Sequence, residues 1–443
     1  MNKILEKSSL YIFLFLLAYM PFYVFISTWV GTSTGFLDAI KISKEIILVF
    51  GFVLALATTP KSTIIIMAKD KLVWLIAGYA ALTVVLAFIK PVDQDAEAIA
   101  VVYNLRFLLF FLYGALLIQK LDKSLIKKTV KIVLAVGAIV SLLGIFQVAL
   151  LPNDALSNVG YSRANGTPAA FFISDQTQAI ERAYSTAKDP NSFGSYLIII
   201  VCLSALYLLL RWPNDRKLLD GITLAVTLCL VLTYSRSAWI GFIVALAILF
   251  ALIPRTRKLI IKNKTFLRYI VTFVVFFALS SIFVFRNTAL VQNLVLHIGD
   301  DSAVTSNSGR TYAMKYTIDE IADNPLGYGP GSAGPASFKN EIQGPVVPEN
   351  YYLQLAHEVG VIGLGIFISI CAVVASRLYK LSKTENVSKA LLASFAGIAI
   401  TNLLVHIWFF EPVAYTWWGI AGLVLYQVTK SKTSSKKAKP VNK

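Results

Sequence analysis

The sequence has little charge for its length. Charged side chains make up 15% of its 443 residues, while hydrophobic side chains make up 57%. A soluble domain carries about 25% charged and about 45–50% apolar residues, so this composition excludes an ordinary soluble enzyme. The mean hydropathy of +0.69 agrees. We therefore expect a protein that lies within a membrane.

Cysteine and histidine are also scarce, with 3 residues of each. Cys202, Cys229 and Cys371 each lie inside an apolar run, where a cysteine is expected to pack as a small core residue. No cluster of histidine and cysteine has the spacing of a zinc site. The stretch 329–334 matches G-x-G-x-x-G, but no strand precedes it, so a dinucleotide site is not expected. We predict neither a metal nor a cofactor.

Acidic residues are outnumbered, with 24 Asp and Glu against 41 Lys and Arg and a net charge of +17. Such an excess can indicate nucleic-acid binding. Here, however, the basic residues flank apolar runs or gather in the tail 430–443, and they do not alternate with aromatic residues on a soluble module. We therefore expect contacts with anionic lipids and none with nucleic acid.

Long apolar runs dominate what is present. A helix needs about 20 mostly apolar residues to cross the hydrocarbon core of a membrane. The sequence predicts an all-α fold, a polytopic transmembrane helix bundle of about twelve spans with a large, partly helical extracytoplasmic loop. The spans are predicted at 8–30, 43–59, 71–89, 99–119, 130–151, 191–210, 218–234, 237–254, 268–286, 351–376, 389–409 and 412–429.

Lysine and arginine gather in alternate connections between these runs. The basic connections are 61–71, 120–128, 211–217, 255–264 and 377–383. The positive-inside rule places them in the cytoplasm together with both termini. The connections 152–190 and 287–350 then lie on the outer side.

The chain divides accordingly into four parts. Residues 1–286 form an N-terminal transmembrane bundle of spans 1–9 that includes the outer loop 152–190, and residues 287–350 form the large extracytoplasmic loop. Residues 351–429 supply the C-terminal transmembrane helices, and 430–443 form a basic cytoplasmic tail.

The large loop contains a helical pattern. Met314, Ile318 and Ile321 recur at helical spacing within 310–323, which predicts an amphipathic helix. It should end before Pro325, because the residue preceding a proline is disfavoured in the α region. Long loops of compact proteins are usually functional or disordered, and the helix favours function.

Three arginines lie on the predicted outer side of a chain whose positive charge is mostly inside. They are Arg236, between two apolar runs, Arg310, at the start of the loop helix, and Arg182, in the first outer loop. Each alone also has a simpler explanation as a snorkelling or solvated side chain, although an outward-facing Arg236 opposes the positive-inside bias and favours function. Together they suggest an anionic ligand, because the guanidinium fork binds phosphate oxygens with paired hydrogen bonds. A phospholipid or a lipid diphosphate is the anion expected at a membrane surface.

A carboxylate stands where the large loop re-enters the membrane. Glu349 precedes Asn350 and the predicted span 351–376, and it suits either a general base or a charge that favours a helix start. His357 lies further along the same helix. A histidine inside a span is a candidate for function, or for a hydrogen bond between helices. Arg106, in the fourth span, either pairs with a carboxylate such as Glu411 or snorkels.

Four stretches in this order carry a resemblance to a known family. They are RAYSTAKDPNSFGSYL (182–197), LTYSRSAWIGF (232–242), SGRTYAMKYTIDEIADNPLGYGPGS (308–332) and ENYYLQLAHEVGVIGLGIF (349–367). With these motifs the chain resembles the O-antigen ligase and polymerase superfamily (the Wzy/WaaL-type membrane glycosyltransferases) over most of residues 180–370. The first five spans match only in being hydrophobic.

The resemblance implies a metal-independent, inverting glycosyltransferase of the bacterial cytoplasmic membrane. Its members transfer a glycan from undecaprenyl diphosphate to a glycan or glycolipid acceptor at the outer face, for cell-surface polysaccharide biosynthesis. Arg236 and Arg310 fall on the family's arginines, and Arg182 falls on a further loop arginine. On this basis Arg236 and Arg310 clamp the diphosphate and Glu349 is the catalytic base. Arg182, Asn350, Tyr351 and His357 are the expected substrate-binding residues.

One departure and one alternative accompany the resemblance. Ligases typically carry His-Asn where this chain has Glu349-Asn350, which favours a polymerase or an envelope-polysaccharide relative over a lipopolysaccharide ligase. His357 is the alternative base, deeper in the helix. From another functional class, a multi-span transporter of a small anion or sugar also suits about twelve spans, although the two halves show no obvious repeat.

Overall fold

A computed structural model describes residues 2–173, 180–210, 216–254 and 301–437 of the protein. Within these ranges the fold is all-helical, as predicted. The extended backbone that they contain is limited to two isolated antiparallel bridges, Ser162 with Thr167 and Phe172 with Glu181.

The described α-helices are numbered in chain order. They are α1 (Asn2–Tyr19), α2 (Tyr23–Thr34), α3 (Leu37–Ala57), α4 (Lys61–Ala68), α5 (Lys71–Ile89), α6 (Gln94–Lys120), α7 (Ser124–Leu150), α8 (Pro190–Leu209), α9 (Arg216–Leu232), α10 (Arg236–Leu252), α11 (Asp301–Asp323), α12 (Tyr351–Leu381), α13 (Val387–Thr401) and α14 (Glu411–Lys437). Short 3₁₀ turns lie at Met20–Phe22, Ala155–Val159, Gly334–Lys339 and Ile407–Phe409.

Six helical segments of the described chain are long and apolar enough to cross a membrane. They are Lys3–Thr34, Lys71–Ile89, Gln94–Lys120, Ser124–Leu150, Pro190–Leu209 and Tyr351–Leu381, with shorter apolar helices at Arg236–Leu252 and Val387–Thr401. The protein is therefore a multi-pass membrane protein. The ninth predicted span, 268–286, lies outside the described residues, as do 287–300 of the predicted outer loop and 438–443 of the tail.

Side-chain caps fix where several helices begin. Asp93 caps α6, Asp189 caps α8 just before Pro190, and Ser235 caps α10, each accepting a hydrogen bond from a backbone N–H of the first turn. Asn350 caps α12 in the same way. These residue types satisfy the N–H groups that a helix start leaves unpaired, and proline is tolerated at the first helical position.

The loop helix and one late span have different limits from those predicted. Helix α11 begins at Asp301 rather than at residue 310, and it ends at Asp323. Its predicted end before Pro325 is thus confirmed. The predicted span 389–409 was too long, since α13 ends at Thr401. There the Asn402 side chain accepts hydrogen bonds from the N–H groups of Ile407 (2.9 Å) and Trp408 (3.3 Å), which stabilises a turn in place of further helix.

Helix α12 is interrupted at Gly360, which has φ +71° and ψ 175°. The turn-rich segment 325–331 docks against this break. The N–H of Tyr328 donates to the carbonyl of His357 (2.8 Å), that of Gly329 to Glu358 (3.0 Å), and that of Val361 to Pro325 (2.9 Å). Backbone groups that the break takes out of the helix therefore find partners in the loop. The sequence predicted an uninterrupted span over 351–376.

Helices α10 and α13 approach each other closely through two glycines. A Cβ atom at Gly397 would lie 2.3 Å from the carbonyl oxygen of Gly241. Small residues at such a crossing let the backbones of membrane helices come into contact. This contact fixes α10, which begins at Arg236, against α13, which leads into residues 403–405.

Three buried charges and the partly exposed Glu45 lie together between α3, α6 and α14. Nη1 of Arg106 lies 3.0 Å from a carboxylate oxygen of both Glu45 and Glu411, and Nζ of Lys44 lies 3.1 Å from Glu45. Arg106 is only 3% exposed, so it pairs with Glu411 and does not snorkel. Two positive and two negative charges neutralise one another, as charged groups inside a membrane protein require.

Replacing Gly360 with alanine tests whether the interruption of α12, with residues 325–331 docked against it, stabilises the fold. We expect Gly360→Ala to lower the free energy of unfolding by about 1–3 kcal/mol, because an L-residue is strained at this φ and its Cβ would lie 2.6 Å from the carbonyl carbon of Leu326. Chemical unfolding of the detergent-solubilised protein measures the change. Gly365→Ala in the same helix is the control, since nothing lies within 4 Å of its Cβ position. Equal effects at both positions would contradict the docked break.

Candidate functional site

An open cavity of about 470 Å³ lies where α8, α10 and α12 begin. Its walls come from the connection before α8, from α10 and α11, from Glu349 and from the turn after α13. The lining residues are Ile173, Arg182, Asn191, Tyr234, Arg236, Ser237, Ile240, Arg310, Thr311, Met314, Glu349, Leu403, Leu404 and Val405. The structure thus brings together the three predicted arginines and Glu349, which are distant in sequence.

Arg182 is held in a fixed orientation at one wall. Its Nε donates to the carbonyl of Thr233 (2.9 Å), and its Nη2 donates to the side-chain oxygen of Asn191 (3.0 Å). Its backbone N–H donates to the carbonyl of Phe171 (2.8 Å). Asn191 stands two residues after the cap Asp189, so the start of α8 positions this guanidinium.

Arg236 is the first residue of α10 and is exposed to the cavity. Within the part of the chain that the structure describes it makes no hydrogen bond or ion pair, and the positive charge of Arg310 repels it. The start of a helix also carries a partial positive charge and unpaired N–H groups. A cation in this position favours an anionic ligand.

Arg310 and Glu349 form an ion pair across the cavity. Nε of Arg310 lies 2.5 Å from Oε2 of Glu349, and the two side chains are 40% and 37% exposed. Among the lining residues, three arginines therefore face one carboxylate. The cavity keeps a positive charge that an anion can neutralise.

Backbone strain concentrates around this cavity. In the described chain, the residues other than glycine with positive φ are Ser185 (53°), Tyr234 (48°) and Glu349 (48°). Each such residue costs about 1–3 kcal/mol and persists where its surroundings enforce it, often at a functional site. Tyr234 and Glu349 line the cavity. Ser185 is held nearby, since its N–H donates to the Gln147 side chain (2.8 Å).

Most of the charged residues of the cavity lie in a part of the chain that matches a known protein family. Residues 221–368 match the family model described as O-Antigen ligase. This stretch is an O-antigen ligase domain. It contains Arg236, Arg310 and Glu349, whereas Arg182 precedes it. The predicted resemblance is thereby confirmed over residues 221–368 of this membrane protein. No curated protein matches the chain.

Asn350 and Tyr351 do not line the cavity of the O-antigen ligase domain. The side-chain oxygen of Asn350 accepts hydrogen bonds from the N–H groups of Tyr352 (2.9 Å) and Leu353 (3.1 Å) as the cap of α12. Tyr351 is 1% exposed and packs edge-on against Phe367 with ring centroids 5.7 Å apart. Both residues hold the start of the helix that presents Glu349.

His357 is also buried away from the cavity, at 2% exposure. Its Nε2 lies 2.8 Å from a carboxylate oxygen of Glu320, its Nδ1 lies 2.9 Å from Oγ of Ser332, and its ring stacks on Tyr328. A neutral ring that donates from Nε2 to Glu320 and accepts at Nδ1 from Ser332 satisfies every group. His357 thus makes a hydrogen bond between helices, one of the two roles considered for it, and ties α11 to α12.

Two further residues of this region were assigned no role from sequence. Glu358 is fully buried and accepts hydrogen bonds from Asn104 (2.9 Å) and from the N–H of Gly331 (3.2 Å). Its position inside a predicted span was the available signal. Asn191, which orients Arg182, lies in the quoted DPN motif and had no other signal. Glu358 fastens the docked segment 325–331, and Asn191 supports the cavity wall.

Glu181, next to Arg182, titrates abnormally. Burial, together with the negative charge of Asp154, raises its pKa from 4.5 to about 7, although a hydrogen bond from Gln147 opposes the shift. A carboxyl with a raised folded-state pKa binds its proton more tightly in the folded protein. Its contribution to stability is therefore complete below about pH 4.5 and is lost as the pH rises through about 7.

We expect Glu181→Gln to flatten the pH dependence of stability between pH 4.5 and 8, because glutamine keeps the hydrogen bond and removes the ionisation. Thermal unfolding of wild type and variant across this range measures the difference, with Glu341→Gln in the large loop as control. The assignment fails if the two curves stay parallel.

Proposed function

We propose that this protein is a membrane glycosyltransferase that transfers or polymerises glycan carried on undecaprenyl diphosphate for cell-surface polysaccharide. The observation that carries the proposal is the cavity in which Arg182, Arg236, Arg310 and Glu349 meet. Three of these residues belong to the O-antigen ligase domain. Their charges suit a diphosphate donor and an acceptor hydroxyl.

We further propose about twelve spans, both termini in the cytoplasm, and a cavity that faces outward from the cytoplasmic membrane. One cluster supports this topology. Arg377 pairs with Asp70 at 2.5 Å, and the Tyr426 hydroxyl donates to Asp70 (2.8 Å). The cluster joins the basic connections 61–71 and 377–383 to the C-terminal helix, at the helix ends remote from the cavity. The positive-inside rule assigns that end to the cytoplasm.

The donor diphosphate is proposed to bind Arg236 and Arg310. Each guanidinium can bond two phosphate oxygens, and Arg182 adds a third positive charge from a wall that is already ordered. These charges also stabilise the leaving diphosphate as the glycosidic bond breaks. This assigns charge neutralisation to arginines, without a metal ion.

Glu349 is proposed to activate the acceptor. The acceptor oxygen bonds to the anomeric carbon, the bond from that carbon to the diphosphate breaks, and Glu349 takes the acceptor proton. Its ion pair with Arg310 holds the Glu349 carboxylate at the cavity. A bound diphosphate competes for Arg310 and frees Glu349. Asn350, Tyr351 and His357 then act by positioning this segment, not by touching sugars.

The two alternatives have less support. To act as the base, His357 would have to give up the hydrogen bond that its Nδ1 accepts from Ser332, and it is 2% exposed. A transport path would be marked by ionisable groups inside the membrane. The buried Lys44, Arg106 and Glu411 instead pair with one another and with the partly exposed Glu45.

Surface glycans of a deletion strain test the proposal. We expect Arg236→Ala and Glu349→Gln to reduce long surface glycan by about a hundredfold or more, because each removes charge stabilisation or the base. Envelope glycans on a gel measure this, and single repeats would indicate a polymerase while carrier-bound polymer would indicate a ligase. Glu341→Gln, an exposed glutamate of the same loop, should behave as wild type.

Membrane insertion of each variant is checked by its level in isolated membranes. Unchanged glycans in both variants at normal levels would contradict the assignment, and counterflow of a small anion or sugar in proteoliposomes would then favour transport.

A further inference from the structure

A second groove, of about 340 Å³, lies beside the arginine cavity along α11. Its lining residues are Tyr312, Ala313, Tyr316, Gln343, Gly344, Pro345, Val346 and Val347. Their neighbours Thr311 and Met314 line the first cavity. Helix α11 therefore separates the two openings by about its own diameter of 10–12 Å.

The two openings differ in chemistry. The first is lined by three arginines and a glutamate. None of the lining residues of the second is ionised at neutral pH, and two tyrosines form one side. Tyr312 is 72% exposed and Tyr316 is 43% exposed. Their rings are nearly parallel, at 17° with centroids 6.3 Å apart. Exposed parallel aromatic faces with hydroxyl groups suit an uncharged ligand that has both apolar faces and hydroxyls.

Both sides of the groove are held in place. On the α11 side, Glu320 lies one helical turn after Tyr316, and its carboxylate bonds to the buried His357. On the opposite side, the carbonyl of Val346 accepts from the N–H of Gly334 (2.7 Å), and the Gln343 side chain donates to the carbonyl of Pro91 (3.0 Å). A preformed groove binds its ligand with less ordering cost.

One edge of the groove lies close to the proposed acceptor position. Val347 lines the groove and Glu349 lines the cavity, so at most about 7 Å of chain separates them. A sugar chain whose hydroxyl reaches Glu349 can extend directly past this segment onto the tyrosines. A lipid tail fits poorly, because α11 is not among the apolar spans of the described chain.

We propose that this groove is a subsite for the acceptor glycan, where pyranose faces stack on Tyr312 and Tyr316 and sugar hydroxyls bond to the polar groups of the walls. This inference rests on the proposed function and deepens it. The arginine cavity binds the charged donor end, and the tyrosine groove binds neutral sugars beyond the reacting hydroxyl. The subsite sets a preference for acceptors of several sugars.

Binding of lipid-free glycan tests the subsite separately from catalysis. The probe is the glycan released by mild acid from the carrier lipid of host cells, separated into single-sugar and longer fractions. Saturation-transfer NMR with the purified full chain measures the affinity. We expect Tyr312→Ala/Tyr316→Ala to weaken binding of the longer fraction at least about fivefold, since two stacking faces are lost. The single-sugar fraction should be unaffected.

Matched variants make the result decisive. Tyr312→Phe/Tyr316→Phe keeps the rings and should retain most of the binding, while Tyr379→Ala removes a tyrosine that is 55% exposed on α12 and should change nothing. Arg236→Ala should keep glycan binding, because the probe carries no diphosphate. Loss of binding in the alanine pair alone supports the subsite, even if Arg236→Ala leaves cellular glycans unchanged and so defeats the proposed function.

Two outcomes overturn the inference. One is binding of the longer fraction by the alanine pair as tightly as by wild type. The other is a protein that co-purifies with wild type and is lost only from the alanine pair while glycan binding persists, which would make the tyrosines a protein-docking face.

Discussion

The docking of residues 325–331 onto the broken helix α12 fixes the segments that form the two openings of this molecule. Three backbone hydrogen bonds join the segment to His357, Glu358 and Val361 around Gly360. The same region fastens α11 through His357 and Glu320. Since α11 carries Arg310 and lines both openings, the positions of the arginine cavity and of the tyrosine groove depend on this contact.

Charged side chains neutralise one another in one cluster of the molecule, whereas positive charge remains in excess at the cavity. Deep between α3, α6 and α14, two cations and two carboxylates neutralise one another. At the cavity, Arg236 is repelled by Arg310, and a single carboxylate faces three arginines. The structural charges are thus neutralised by one another, whereas the cavity keeps an excess of positive charge that an anion can neutralise. The left-handed Tyr234 and Glu349 show that backbone strain is accepted at the same place.

Much of this architecture was predictable from the sequence, because apolar runs and capping residues determine where helices lie through residues that are close together in the chain. Described helices overlap the other eleven predicted spans, but only six of these segments are long and apolar enough to cross a membrane, and two more are shorter apolar helices. Helix α11 ends before Pro325, as its sequence indicates. The three outer arginines and Glu349 were expected at one site, and they line one cavity. Their roles in catalysis stay proposals.

Features that depend on distant partners were not predictable. The break at Gly360 is stabilised by residues 325–331, and the end of α13 by the turn around Asn402. Tyr351 and His357 face the interior because of how α12 is rotated against its neighbours, which spacing along one helix does not determine. The groove at Tyr312 joins α11 to the segment 343–347, and no local pattern brings these two together.

Binding of a lipid diphosphate by the arginine cavity is central to the proposed function. The most direct test compares the affinities of undecaprenyl diphosphate and undecaprenyl monophosphate for the purified protein in nanodiscs, with wild type and Arg236→Ala. We expect wild type to prefer the diphosphate and the variant to lose this preference, because the paired guanidinium contacts are gone. Equal affinity of wild type for the two lipids, or an unchanged preference in the variant, would contradict it.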